Sequence, residues 1–407
     1  MSRKTVFTVA LLVMVAGAGG CGRGGDNWYK GNTHTHSLWS DGDAAPEVVA
    51  DWYRTNDYRF LVLTDHDILS EGERWFDISN ERRSHLTDRR VDELRDRFGS
   101  DWVVIREREG QREMKLKTLE ELRRRFEVPG EFIFIQGEEI SDSYEGRPLH
   151  LNAINLLEFI PKQGGDGVQE TFRRNVRTVL EQEGRLRRPI AVSINHPNWR
   201  WAVTPEELAA VEDTGLFEVY NGSVGCNNYG DQQHPGMDDV WDIALTLRLT
   251  ELGLGPLFGI ATDDTHDYFT YGPTYSNPGR GWIVVRAPAL EPDYIAEAIK
   301  EGDFYSSTGV ELKDIRISRS RYYIEIEEEE GVTYTTRFIG TRVIDGRQGD
   351  EGEILMETAD NPAVYRLDGD ELYVRAKVIS SKRHSNYSEG EEAPQYAWTQ
   401  PLVPPVE

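Results

Sequence analysis

Five short apolar runs, each ending on polar or ionisable residues, constrain this chain more than any other feature: FLVLTDHD (60–67), FIFIQGEE (132–139), IAVSINHP (190–197), LFEVYNG (216–222) and LFGIATDDTH (257–266). Near-continuous apolar runs of this length suit strands buried on both faces, as in a parallel sheet covered by helices. Helical patterns lie between some of them. Residues 46–58 begin with a proline and place Val49, Trp52 and Tyr53 at i, i+3, i+4 spacing; 205–211 and 238–252 read similarly. Strand, ionisable cluster and helix, repeated, is the grammar of a β/α barrel with its chemistry at the C-terminal ends of the strands.

Two regions depart from that rhythm. Residues 72–128 form a charged insertion or elaborated loop with Glu/Arg-rich helical segments and a hairpin, VVIREREGQREMKLK, turning near Glu109-Gly110. After about Gly309 the pattern changes to period two. In ELYVRAKVI (371–379), Leu372, Val374, Ala376 and Val378 alternate with Tyr373, Arg375, Lys377 and Ile379. This predicts a small antiparallel β domain over 310–407, following a barrel over 28–309. The loop 381–394 reads as exposed, with His384 facing solvent.

Residues 1–21, MSRKTVFTVALLVMVAGAGGC, combine Arg3 and Lys4, an apolar run from Val6 to Ala16, and small residues before Cys21. That is the pattern of an export signal, too short for a stable membrane span. The cysteine after Ala18, Gly19 and Gly20 resembles the cleavage site of bacterial lipoproteins. That resemblance implies lipidation at Cys21, a flexible tether over 22–27, and a membrane-anchored protein facing the periplasm or the cell exterior. Cys226 is the only other cysteine, so a lipidated Cys21 leaves no internal disulfide. The formal net charge is −25, which repels polyanions and makes nucleic acid an unsuitable partner.

Of nine histidines, His34, His36, His66, His196 and His266 stand at or just beyond an expected strand end, and His150 opens the apolar segment LHLNAIN. In an extended segment residues i and i+2 point the same way, so His34 and His36 can present both imidazoles to one ion. Carboxylates accompany them: Asp41, Asp65, Glu138, Glu139, Asp263 and Asp264. Several uncompensated carboxylates at a barrel mouth need cations, and divalent metals supply them.

Taken in order, HTHSLWSDG, LTDHD, GEEIS, LHLNAIN, INHP and ATDDTH resemble the polymerase and histidinol phosphatase (PHP) superfamily over residues 28–285. The resemblance implies a distorted (β/α)7 barrel and three divalent ions, of zinc, manganese or iron, that hydrolyse phosphoesters. It places His34, His36, Glu139 and Asp264 on a first ion. Glu139 then bridges to a second with His150 and His196, and Asp41, His66 and His266 take the third. Glu138 falls on the opposite strand face from Glu139. Asp65 is expected to orient a ligating imidazole, and Asp263, Glu218 and Asn221 to support the ligands or line the pocket.

The mechanism so implied is attack by a metal-bridging hydroxide on a small phosphorylated substrate outside the cytoplasm, a monoester before a diester. Arg280, in NPGRGW, is the candidate grip for phosphate and His234, in QQHPG, the candidate acid for the leaving oxygen. The same donor set serves a phosphodiesterase or an amidohydrolase-like enzyme. A surface binding protein without catalysis is the remaining alternative.

Overall fold

The computed structural model describes residues 27–81, 85–390 and 392–404. The signal segment, Cys21 and all but the last residue of the tether lie outside the described residues. The chain opens with β1 (Asn27–Asn32), α1 (Pro46–Thr55) and β2 (Phe60–Leu63). Pro46 sits in the first turn of α1, where its fixed φ suits the helix and its missing N–H is not needed. Val49 and Tyr53, one turn apart, are fully buried against the sheet, each stabilising by roughly 1.5–3 kcal/mol.

The insertion carries β3 (Trp75–Asp77), α2 (Asp88–Phe98), β4 (Ile105–Arg108), β5 (Gln111–Lys115) and α3 (Leu119–Phe126). Its strands form a separate three-stranded sheet, and β4 turns into β5 at Glu109-Gly110 with both residues at positive φ. The main sheet resumes with β6 (Ile133–Tyr144), β7 (Arg147–Ile154), α4 (Val168–Leu186), β8 (Ala191–Ile194), α5 (Pro205–Ala209), β9 (Leu216–Asn221), α6 (Met237–Leu247) and β10 (Phe258–Thr262). Then come β11 (Trp282–Ala287), α7 (Pro292–Glu301) and β12 (Phe304–Ser307). The strands after Gly309 are β13 (Leu312–Ser318), β14 (Arg321–Ile326), β15 (Tyr334–Ile344), β16 (Arg347–Gln348), β17 (Glu353–Thr358), β18 (Ala363–Arg366), β19 (Glu371–Arg383) and β20 (Pro394–Thr399).

A 14-stranded mixed sheet runs β10-β9-β8-β7-β6-β2-β1-β11-β12-β20-β19-β15-β16, with β17 beside β15. Of the expected distorted (β/α)7 barrel, the structure shows the mixed α/β fold and its large sheet, without closure of that sheet into a barrel. A strand has two edges, and those of β1 are taken by β2, parallel, and by β11, antiparallel. Among the described residues no ladder joins β10 to β1. The sheet curls instead, so that Thr265, beyond β10, makes a single parallel bridge to Thr35, beyond β1. A second departure from the parallel grammar is the hairpin from β6 to β7, which turns on Glu145-Gly146, both at positive φ. Such a two-residue turn matches the twist of antiparallel strands.

Strands β2, β8 and β9 are buried along their whole length, as their apolar runs require. Of the strands after Gly309, β15, β16, β17, β19 and β20 are hydrogen-bonded into the same sheet, because β20 lies between β12 and β19, whereas β13, β14 and β18 form a separate three-stranded sheet. Period two holds along β19, yet Tyr373 and Arg375 are buried as fully as Val374 and Ala376. The polar face of β19 is covered by α6, whose Asp242 accepts from Tyr373 at 2.8 Å and from Arg375 Nε at 2.7 Å. His384 is also buried, its ring 2.9 Å from the Arg280 carbonyl, which corrects its expected exposure.

Candidate metal centre

After β1 the chain bends at Thr33 and bridges at Thr35 to Thr265, and alternation about Thr35 decides its chemistry. Thr35 points toward β2, donating its hydroxyl to the Val62 carbonyl at 2.8 Å. His34 and His36 point the other way, both fully buried, with ring centres 5.1 Å apart. Backbone bonds from His36 N to the Thr265 carbonyl and from Asp264 N to the His34 carbonyl, each 3.0 Å, fix this strand end against that of β10. Gly42 permits the following loop to fold back: a Cβ there would lie 2.7 Å from the His36 carbonyl. Asp41 is thereby returned to within 3.7 Å of His36 Nδ1.

Glu139 stands at the middle of the hollow. Its carboxylate lies 3.3 Å from His34 Nε2, 3.4 Å from His36 Nε2, 2.7 Å from His66 Nδ1, 3.0 Å from His150 Nδ1 and 3.2 Å from His196 Nε2. The β6–β7 register explains the approach of His150, which pairs with Ser141, two residues along the same face from Glu139. Asp264 Oδ1 is 3.3 Å from His34 Nε2 and 3.0 Å from His36 Nε2. Asp41 reaches His66 Nε2 at 3.6 Å and His266 Nε2 at 3.4 Å. All nine residues that the resemblance assigns to metal therefore face one hollow. Asp264 and His196 hold left-handed φ of 48° and 30°, a conformation side chains adopt at a cost of order 1–3 kcal/mol and one that concentrates at functional sites.

Among the described residues, three groups in the hollow have donor atoms close enough together for an ion: His36, Asp41, His66 and His266; His34, His36 and Glu139; and His66, Glu139 and His150; a fourth, Asp368, Asp370 and Glu371, lies among the C-terminal strands. Two buried donors test whether a cation fits. His34 Nε2 and Glu139 Oε2 make no hydrogen bond although both are sealed from solvent, and such orphans are costly unless something else satisfies them. The neighbours leave these lone pairs directed inward. Glu218 Oε1 accepts a hydrogen bond from His34 Nδ1–H at 2.7 Å, and the Asp264 carbonyl accepts one from His266 Nδ1–H at 3.0 Å, which leaves Nε2 of each ring as the lone-pair nitrogen. The residues fit divalent cations.

Charge in the hollow is arranged to match. Burial opposes protonation of His66, but Glu139 and Asp41 overcome it and carry its pKa up to about 11. His266 is carried up to about 9 against burial by Asp41 and Asp264. His36 moves the other way, down to about 3, through burial and the nearby His266 and His66. Burial raises the carboxylates of Glu139 and Asp264, yet the surrounding histidines win and hold both far below the ordinary range. A bound cation would take the place of the protons that the carboxylates favour on His66 and His266.

The supporting residues divide. Glu218 accepts from His196 N at 2.7 Å as well as holding His34, and Asn221 donates to Glu218 at 2.8 Å and to Asp264 at 3.1 Å. Asp65 holds no imidazole: it accepts from Ser37 N at 2.8 Å, Ser37 Oγ at 2.9 Å and Ser40 Oγ at 2.6 Å, bracing the loop that carries Asp41. Asp263 accepts from Tyr53 and from the backbone of Gly279, Arg280 and Gly281. Glu138 faces away and accepts from Ile160 N at 2.9 Å; burial pushes its pKa up to about 8. Sequence reasoning missed Ser141, 2.6 Å from His66 Nδ1, and Asn195, which donates to Glu139 at 2.9 Å. Both were findable, Ser141 by period two from Glu139 and Asn195 as the neighbour of His196.

Arg280 and His234 do not join the hollow. Arg280 is fully buried, its guanidinium committed to the carbonyls of Gly222 and Gly272 and to Ser388 and Asn386. It clamps the loops behind Asp263, and the role of phosphate grip is withdrawn. His234 stacks on Trp201 with ring centres 4.1 Å apart and pairs with Asp231 at 2.9 Å; these partners among the described residues hold it apart from the nine donors.

No protein-family model and no curated protein matches the chain. Among solved structures, it is similar to a two-domain protein from Bacteroides vulgatus ATCC 8482 containing a predicted PHP-like metal-dependent phosphoesterase. The two share 16% identity over 93% of this chain and 96% of the other, with a TM-score of 0.42. A candidate metal-dependent phosphoesterase from Bifidobacterium adolescentis ATCC 15703 shares 12% over 67% and 94%, at 0.33. An amidohydrolase from Chromobacterium violaceum, with bound sulfate and no metal, shares 15% over 58% and 87%, at 0.26. At these values the likenesses carry no weight for the chemistry, which rests on the residues themselves.

Proposed function

We propose that this chain is a PHP-type phosphoesterase that uses three divalent ions to hydrolyse a small phosphorylated substrate, a monoester in preference to a diester. The observation that carries this reading is the convergence of six imidazoles and three carboxylates on one hollow, with His34 Nε2 and Glu139 Oε2 buried there without hydrogen bonds. His34, His36, Glu139 and Asp264 would hold the first ion, Glu139, His150 and His196 the second, and Asp41, His66 and His266 the third. Divalent ions bound there supply Lewis acidity, a water of lowered pKa and neutralisation of phosphoryl charge.

The protein's own part is positioning. Glu218 fixes the tautomer of His34 and, through its bond to His196 N, the strained turn that presents His196. Asn221 couples Glu218 to Asp264, so donors from three strand ends share one rigid frame. Burial of His34, His36 and Glu139 keeps bulk water from these groups and strengthens their interactions with charge.

We further propose export and anchoring through a lipid on Cys21. Labelled fatty acid incorporated by the wild type and not by Cys21→Ala tests that part. For the activity, release of phosphate from aryl phosphates is expected, abolished by a chelator and restored by manganese or zinc. Metal-replete protein that cleaves nothing in a panel of monoesters and diesters would overturn the reading.

A further inference from the structure

With Arg280 sealed in the fold, the anion-binding group must be sought among cations at the rim of the hollow. Lys162 is held by Asp67 at 2.8 Å. Arg90 donates to the Asp43 carbonyl at 3.0 Å, and its other terminal nitrogen lies 3.8 Å from the Asp43 carboxylate. Arg200 is different. It is exposed, among the described residues no carboxylate pairs with it, and its guanidinium lies 4.7 Å from the centre of the Trp199 ring.

Trp199 ties that arginine to the site. Its ring centre lies 5.1 Å from that of His196 and 5.7 Å from that of His150, both donors of the hollow. The turn bearing these residues is held in an unusual shape. Arg200 and Trp201 both take left-handed φ, 56° and 54°, although neither is glycine. Anchors on both sides maintain it. Asn198 donates to the carbonyls of Asn227 and Pro235 at 3.2 and 3.0 Å, and Arg147 Nε donates to the Ala202 carbonyl at 2.7 Å. A left-handed pair is disfavoured for residues with side chains and concentrates where a side chain must be aimed.

We propose that Arg200 grips the anionic end of the substrate, taking the phosphoryl oxygens that face the Trp199 side of the hollow. The nine inward donors are committed to cations or to one another, so a substrate anion needs N–H groups from elsewhere. A guanidinium offers two parallel N–H bonds that match phosphate geometry, and stacking on an indole face orients its plane without consuming those donors. This rests on the phosphoesterase reading, and names the group within it that selects a phosphorylated substrate.

The test uses the metal-loaded full chain, Arg200→Gln and Arg200→Lys, with metal content measured for each. Inorganic phosphate binding is followed by calorimetry, and turnover of an aryl phosphate separately. Arg200→Gln is expected to keep its metals and to weaken phosphate binding about 10- to 100-fold, with KM for the aryl phosphate rising in step and kcat little changed; Arg200→Lys should recover part of the loss. Unchanged phosphate binding in Arg200→Gln, or absence of phosphate binding by the wild type, overturns the proposal. Calorimetry separates the two ideas: weaker phosphate binding by Arg200→Gln supports the grip even where no ester is turned over, and turnover with unaltered KM leaves the phosphoesterase standing without it.

Discussion

At the scale of single residues, Glu139 is the point on which the site depends. It belongs to two of the three donor groups in the hollow and approaches five imidazoles. Glu139→Gln keeps the shape and removes the charge, so at least half of the bound metal is expected to be lost by elemental analysis while the fold persists. Retention of full stoichiometry would dismiss the central role. Glu47 shows the opposite use of a buried carboxylate. It is 2% exposed, accepts from Trp102 Nε1 at 3.1 Å and leaves Oε2 without a hydrogen bond, and burial pushes its pKa up to about 7. An acid whose pKa is higher folded than unfolded binds more protons in the native state. Its contribution is therefore fully present below pH 4.5 and is lost as pH rises to about 7, to a total of about 3 kcal/mol. Glu47→Gln cannot ionise, so its urea midpoint should exceed that of the wild type at pH 8 by much more than at pH 5. An equal difference at both would show that Glu47 titrates normally.

Elements explain which parts of this structure could be read from the sequence. The strand ends were legible because the apolar runs stop where ionisable residues begin, as in β2, β8 and β10. His34 and His36 were legible through period two. The direction of β7 was not, since a central strand shows the same apolar run whichever way its neighbour points. Its only local signal is Glu145-Gly146, the same pair that marked the earlier hairpin at Glu109-Gly110. Nor does alternation along β19 reveal that α6 covers the second face. That turn also has a functional consequence, because register sets which side of β7 carries His150. Gly146 has φ of 80°, so Gly146→Val should destabilise by about 1–2 kcal/mol or more in urea titrations. It should also weaken metal retention at the group containing His150. Unchanged stability would show that the turn relaxes to another geometry.

On the scale of the whole molecule, the strands after Gly309 are joined to the rest by more than surface contact. Strand β20 closes the edge that β12 would otherwise expose, and an exposed edge is a template for aggregation. One apolar cluster contains Val284 and Tyr305 together with Ile324, Phe338, Val374 and Ala397. Behind it, Gln400 accepts from Gly259 N at 2.9 Å and donates to its carbonyl at 3.0 Å, beside the strand that leads to Asp264. Across α6, Arg375 is 1% exposed in its side chain and donates to Asp242, while Lys377 and Trp398 bind Asp238. A buried ion pair of this kind adds little against an apolar replacement of both partners, but loss of one partner strands the other charge in a dry interior. Arg375→Met should therefore cost about 3–5 kcal/mol, and because the two regions share a sheet and a core, the whole chain should unfold in one transition, followed by urea with both fluorescence and circular dichroism. Two separated transitions, with the first confined to the C-terminal strands, would show that the nine metal donors are held without them. A single lowered transition, with metal content falling in parallel, would show that Arg375 helps hold the metal hollow from the far side of the sheet.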